Sequence, residues 1–271
     1  MTVAMSTTIV KSPLPSTNLR VQGSILSGIQ AVIFDKDGTL ADSRNFLRQL
    51  GQLRADLSFD ALEIKGIVLN QASQQELYGI LGMAGKLDPD GLLATGSRHA
   101  NQTATAEWMV KVGGPGDQVD QWVANIFQAA DRQLPPKTGA TPPFQGTADL
   151  LRRLSESSLK VGVLSSDSPA HLQDFLEFYH LTSWLDGWRG TEKEDPAKPD
   201  PALFYQLCNA LQVQPQATVI VGDSWVDLRL AERAEAAAFI SVSEAWGRSP
   251  VPGGRWVIQS WQDLSVVSDG L

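Results

Sequence analysis

Three stretches of the chain are apolar over several consecutive positions and then end in small or acidic residues: QAVIF (30–34), KVGVLS (160–165) and ATVIVGD (217–223). Runs of this length without polar alternation predict strands buried on both faces. FISVS (239–243) and RWVIQ (255–259) predict two more strands. Each of the first three runs is followed by a polar turn and then by apolar residues at helical spacing. DLLRRLSES (149–157) is a helix ahead of the second strand, and in SSDSPAHLQDFLEFY Ser168 and Pro169 read as N-cap and first helical residue. Strands alternating with helices predict an α/β fold with a doubly wound, parallel-sheet, Rossmann-like core.

Residues 45–140 carry a different pattern. NFLRQLGQLRADL, QQELYGILGMAG, ANQTATAEWMVKVG and QVDQWVANIFQAADRQL are amphipathic at helical spacing, and no run among them reads as a strand. The expectation is an all-helical cap domain at 45–140, inserted into a core made of 29–44 and 141–271, with the Pro-rich LPPKTGATPPF (134–144) as return hinge. Residues 1–28 have no acidic side chain and many Ser and Thr; they are expected to form a flexible tail, since neither a secretory apolar core nor an arginine-rich amphipathic helix is visible. Ligands of open α/β sheets bind beyond the carboxyl ends of the strands, so an insert that follows the first strand is expected to sit over the site.

Composition changes the picture in three respects. A formal net charge of −8 excludes a general affinity for nucleic acid or an anionic membrane, and any anionic ligand must meet a local positive site. No apolar run reaches the roughly 20 residues that span a bilayer, so a soluble protein without membrane contact is expected. The single cysteine, Cys208, allows neither an intramolecular disulfide nor a multi-thiolate metal cluster, which fits the cytoplasm.

The candidate chemistry lies at strand ends. AVIFDKDGTLADS places Asp35 and Asp37 just past the first strand, Ser165 ends the second, Asp223 and Asp227 follow the third, and Lys198 lies in a loop before a helix. Taken alone, the first pair reads equally as a turn and helix cap, and Lys193 competes with Lys198 until the KPDP context selects the latter. Together they fit phosphoryl transfer. One strand-end carboxylate can attack phosphorus, a second two residues on can move the proton, a hard cation suits the Asp-rich oxygen set, and lysine with a hydroxyl can hold the phosphoryl oxygens.

FDKDGTLADS resembles the D-x-D-G-T motif of the haloacid dehalogenase superfamily, specifically its phosphatases with a helical cap between first and second motifs. The resemblance implies Asp35 as nucleophile, Asp37 as general acid/base and, through its backbone carbonyl, as a metal ligand. VGVLSS resembles the second motif, AKPDPALF the third and VIVGDSWVDLRLA the fourth, G-D-x-x-x-D. These imply Ser165 and Lys198 at the phosphate and Asp223, with Asp227 beside it, at Mg2+, so that Asp35, Asp37, Asp223 and Asp227 form the metal set. Thr39 and Ser166 join the substrate contacts. In the insert, Arg98, with His99 and Lys86, is a candidate for the non-reacting part of an anionic substrate.

Two positions depart from the family pattern: Ser166 stands where relatives usually have Asn, and Glu235 where they often have Gly. The expected activity is hydrolysis of a small phosphorylated metabolite, first 2-phosphoglycolate and then a sugar phosphate, by a monomer or homodimer. A phosphomutase of the β-phosphoglucomutase type uses the same two acids, and a slow phosphate-binding protein on this fold is the alternative of another class.

Overall fold

The computed structural model describes residues 16–243 and 247–267. Its first elements, β1 (Thr17–Val21) and β2 (Ser24–Ile29), form an antiparallel hairpin across Gln22 and Gly23, whose φ angles are 47° and 85°. Positive φ at both central positions is the geometry whose twist matches the paired strands. The expectation of a flexible tail at 1–28 is therefore corrected for residues 16–28, while residues 1–15 lie outside the described residues. Alternation is the reason: Leu19 and Val21 are buried and Arg20 between them is exposed, so even a short, polar-rich strand gains one inward face.

β3 (Ala31–Phe34) is buried throughout and leads into the helices. These are α1 (Arg44–Ile64), α2 (Gln71–Ile80), α3 (Leu92–Thr95), α4 (Arg98–Lys111), α5 (Val119–Gln133) and α6 (Lys137–Ala140). The side chains of Asn70 and Ser97 cap α2 and α4 by accepting from the N–H groups of Ser73 and Ala100. Leu62, Leu77, Trp108, Val123 and Phe127 pack the longer helices on one another. The chain continues through α7 (Thr147–Ser155), β4 (Lys160–Leu164), α8 (Pro169–Phe178), β5 (Gly187–Arg189) and α9 (Ala202–Leu211). It ends with β6 (Thr218–Gly222), α10 (Trp225–Arg233), β7 (Ala238–Val242), β8 (Trp256–Ile258) and β9 (Leu264–Val267).

Strands β3 to β8 make one sheet in the order β5-β4-β3-β6-β7-β8 with every neighbouring pair parallel. All five apolar runs named from sequence lie in it; β5, only three residues long, is added at the edge. β9 pairs antiparallel with β1, giving a second sheet, β2-β1-β9. On one face of the main sheet Val32 and Phe34 join Leu150 and Leu154 of α7, Phe175 of α8, and Leu19 and Val21 of the small sheet. Trp261 locks this layer: its ring meets that of Phe34 edge-on at 5.9 Å and its indole N–H donates to the Thr147 hydroxyl at 3.1 Å. On the other face Ala31 and Ile33 pack with Leu203 and Phe204 of α9 and Leu230 of α10.

The strand order reverses at β3, because the chain fills β4 and β5 on one side before returning to β6 on the other. Such a switch opens a crevice beyond the carboxyl ends of the strands. The two connections to the helical insert run side by side there: Asp42 N–H donates to Pro142 O at 2.8 Å and Phe144 N–H to Leu40 O at 2.9 Å. If β1 belongs to the core, Leu19→Ala lowers the unfolding free energy by about 2–5 kcal/mol in urea titration. A loss below about 0.5 kcal/mol, the range of a surface substitution, would contradict that packing.

Candidate active site

β3 hands the chain to a tight turn. Asp35 N–H still donates to Val221 O of β6, at 2.9 Å; then Leu40 and Ala41 N–H donate to Lys36 O, and Gly38 N–H to Ala41 O at 2.8 Å. Gly38 has φ +87°, and a Cβ there would lie 2.0 Å from Asp223 Oδ2. Only glycine lets the first turn come this close to the carboxylate after β6.

The result is a buried acidic cluster. Asp35, Asp223 and Asp227 present carboxylate oxygens within 4.8 Å of one another. Lys198, which is 5 % exposed, lies 2.6 Å from Asp35 Oδ1 and 3.0 Å from Asp227 Oδ1. Ser224 caps α10 and its hydroxyl donates to Asp227 Oδ2 at 2.6 Å, while Thr39 Oγ1 is 3.4 Å from Asp223 Oδ1. Burial is the main influence on Asp35; Lys198 opposes it, Asp227 and Asp37 reinforce it, and the carboxyl is pushed up to about 7. Burial also works against charge on Lys198, but Asp227 and Asp35 outweigh it and hold the ammonium well above its ordinary range. The two shifts agree: several acids share one ammonium, so the lysine is over-satisfied and Asp35 is not.

A buried all-oxygen set with surplus negative charge fits a hard divalent cation. The carboxylates of Asp35, Asp223 and Asp227 are the residues that could hold one. The carboxylate of Asp37 points elsewhere, so of its atoms the backbone carbonyl is the one the family motif offers. Arg248, on the segment after β7, ion-pairs with Asp223 and lies 4.0 Å from Asp90 of the insert.

Asp37 belongs to a ring of four charges. Lys36 Nζ is 2.8 Å from Asp37 Oδ1 and 2.6 Å from Asp167 Oδ2; Lys137 Nζ is 2.7 Å from Asp37 Oδ2 and 2.6 Å from Asp167 Oδ1. Lys36 is 1 % exposed and lies against the Phe175 ring. Burial alone would raise the Asp167 carboxyl, but Lys137 and Lys36 hold it well below the carboxylate range. The ring therefore fixes both oxygens of Asp37 from opposite sides.

Asp35, Asp37, Ser165, Ser166, Lys198, Asp223 and Asp227 all face one cavity of about 760 Å3. The sequence model described as haloacid dehalogenase-like hydrolase matches residues 29–235. The chain belongs to the haloacid dehalogenase-like hydrolases. It is 27 % identical over 221 residues to a phosphoglycolate phosphatase of Synechococcus elongatus, covering 81 % of this chain and 85 % of the relative. A phosphoglycolate phosphatase of Rhodospirillum rubrum is 25 % identical over 222 residues, with 82 % and 83 % covered. Among solved structures, a predicted phosphoglycolate phosphatase from Haemophilus somnus superposes with a TM-score of 0.60 at 18 % identity, over 87 % of this chain and 96 % of that one, a likeness of fold.

As in the sequence reading of this hydrolase, Lys198 rather than Lys193 reaches the cluster; Lys193 lines a neighbouring cavity. Ser165 accepts from Asp167 N–H at 3.1 Å, which leaves its own proton to donate. Lys86 lines the same cavity as the acidic cluster. Arg98 and His99 do not; they line the neighbouring one, and Arg98 is paired with Asp131 at 2.6 Å. Lys36, Asp167, Lys137 and Arg248 were missed. Lys36 and Asp167 sit beside motif residues in sequence, whereas Lys137 and Arg248 join the site only through tertiary structure.

Because the folded chain holds a proton on Asp35 more tightly than the ordinary value of 3.8, ionising that group costs stability progressively from pH 3.8 up to about 7. In EDTA at pH 8, Asp35→Asn should therefore raise the unfolding free energy, by up to about 4 kcal/mol, and the gain should vanish at pH 4. A variant that is less stable than the parent at pH 8 would contradict the surplus of negative charge.

Proposed function

We propose that the protein is a magnesium-dependent phosphatase that hydrolyses a small phosphate monoester through a covalent phospho-Asp35 intermediate. The observation that supports this most is Lys198 held between Asp35 and Asp227, with Asp37 two residues beyond the nucleophile on the wall of the same cavity. Magnesium, held by Asp35, Asp223 and Asp227, would supply the positive charge that lets a phosphate dianion approach those acids.

An oxygen of Asp35 attacks phosphorus, forming the P–O bond to the protein as the bond to the ester oxygen breaks. Asp37, released from one of its lysines and carrying a proton taken from solvent, gives that proton to the departing alkoxide, which leaves as the alcohol. Asp37, now a carboxylate, takes a proton from water; the water oxygen bonds to phosphorus, the acyl phosphate bond breaks, and Asp35 and inorganic phosphate are released. Lys198 and the Ser165 hydroxyl donate to the phosphoryl oxygens through both steps. Lys36 and Lys137 keep Asp37 from swinging toward Asp223, and one of them must yield when Asp37 turns to the ester oxygen.

For the substrate, similarity to phosphoglycolate phosphatases favours a small phosphorylated acid, of which 2-phosphoglycolate is the simplest, with sugar phosphates next. Phosphate release from a panel of phosphorylated acids and sugar phosphates tests the reading, in magnesium and in EDTA. Expected are turnover in magnesium alone, a loss of about 10⁴-fold or more in Asp35→Asn, and a loss of about 10²–10⁴-fold in Asp37→Asn. Turnover retained by Asp35→Asn would remove the nucleophile assignment.

A further inference from the structure

A second cavity, of about 1050 Å3, opens where the first one ends: both are walled by Asp37, Ser166, Leu47 and Ala94. This location matters chemically. In the mechanism above Asp37 touches the ester oxygen, so whatever that oxygen carries must continue past Asp37. Ser166, with its short side chain, lines both cavities.

Arg54, from α1, lines the second cavity and is 5 % exposed. Among the described residues its Nε is buried without a partner, and its ion-pair contact, to Asp131 Oδ1, is a long one of 3.7 Å. It lies over the Phe127 ring at 4.0 Å, with Arg98 over the same ring at 5.6 Å, and Asp131 already takes a 2.6 Å contact from Arg98. Of the other acids on the cavity wall, Asp37 and Asp167 are held by two lysines, Asp195 lies 3.2 Å from Arg189, and Glu192 is exposed to solvent. Burial, with the neighbouring Arg98 charge adding to it and Asp131 opposing it, lowers the Arg54 guanidinium to about 10. The wall also holds a buried acceptor without a partner, Asn101 Oδ1.

A buried guanidinium with unused donors is costly to keep unless something arrives to use them. We propose that Arg54 anchors a second subsite, which takes the carboxylate or second phosphate at the far end of a hydroxyl-bearing phosphate ester whose reacting phosphate lies at Asp35. The assignment rests on the phosphatase reading for where the reacting end sits. It narrows the substrate class to phosphorylated acids or bisphosphates longer than 2-phosphoglycolate, because the far anion must reach across the second cavity.

Two probes isolate the far end: 6-phosphogluconate and sorbitol 6-phosphate share an acyclic six-carbon chain and differ in a terminal carboxylate against a terminal alcohol. Their affinities for the Asp35→Asn protein in magnesium are compared by titration calorimetry, which needs no turnover. The carboxylate should be preferred by about tenfold or more. Adding Arg54→Met should bring the ratio of the two affinities to about one, and Arg54→Lys should restore part of it. Adding Asp131→Asn, which removes the competing carboxylate, should tighten 6-phosphogluconate, a gain that damage to the fold does not produce. A ratio near one in the parent, or a ratio indifferent to Arg54→Met and Asp131→Asn, overturns the subsite. If the ratio behaves as expected and wild type releases phosphate from no ester, the phosphatase reading falls and the anion subsite stands.

Discussion

Three carboxylates gathered between one ammonium, Lys198, and one guanidinium, Arg248, are the constraint on which the structure turns. Left to themselves, Asp35, Asp223 and Asp227 would repel one another and seek water. They stay together because β3 and β6 are neighbours in a rigid parallel sheet and because Lys198 is folded in behind them. Gly38 and Gly222 keep a Cβ out of the way of Asp223 and Asp227 respectively, and the cap of α10 fixes the orientation of Asp227. The arrangement keeps a deficit of positive charge at one point, a setting that suits a hard cation.

A second electrostatic unit governs the neighbouring acid. The Lys36, Asp37, Lys137, Asp167 ring joins the turn after β3, the return segment of the insert and the loop after β4. Buried ion pairs add little stability over apolar packing of the same shape, but they specify geometry when each member is satisfied. Here the geometry specified is that of Asp37. Two carboxylates one residue apart thus stand in opposite surroundings: Asp35 in surplus negative charge, Asp37 between two cations.

The legibility of this structure in the sequence follows its physics. The parallel strands were readable because burial on both faces leaves an unbroken apolar run, and most candidate site positions were readable because they sit at a run's end; Lys198, in a loop, was found from its KPDP context. The N-terminal hairpin was missed although TNLRV alternates and QG is a two-residue turn; five residues of alternation are too short a signal beside Ser- and Thr-rich surroundings. The three-residue β5 and the antiparallel β9 depend on partners rather than on their own sequence. Arg98 was picked out as a cation on the insert, which is right, but its side chain is spent on Asp131. Arg54, in the middle of an amphipathic helix pattern, was not singled out from sequence; the fold places it against Phe127.

The central claim is that Asp35 itself receives the phosphoryl group. Acid quenching of a single turnover at millisecond intervals, followed by mass spectrometry of the peptide that contains Asp35, observes that event directly. The account predicts a species one phosphoryl group heavier that rises before free phosphate, decays as phosphate accumulates, and maps to Asp35. Phosphate appearing with that peptide unmodified at every interval, or modification mapping to another residue, would contradict it.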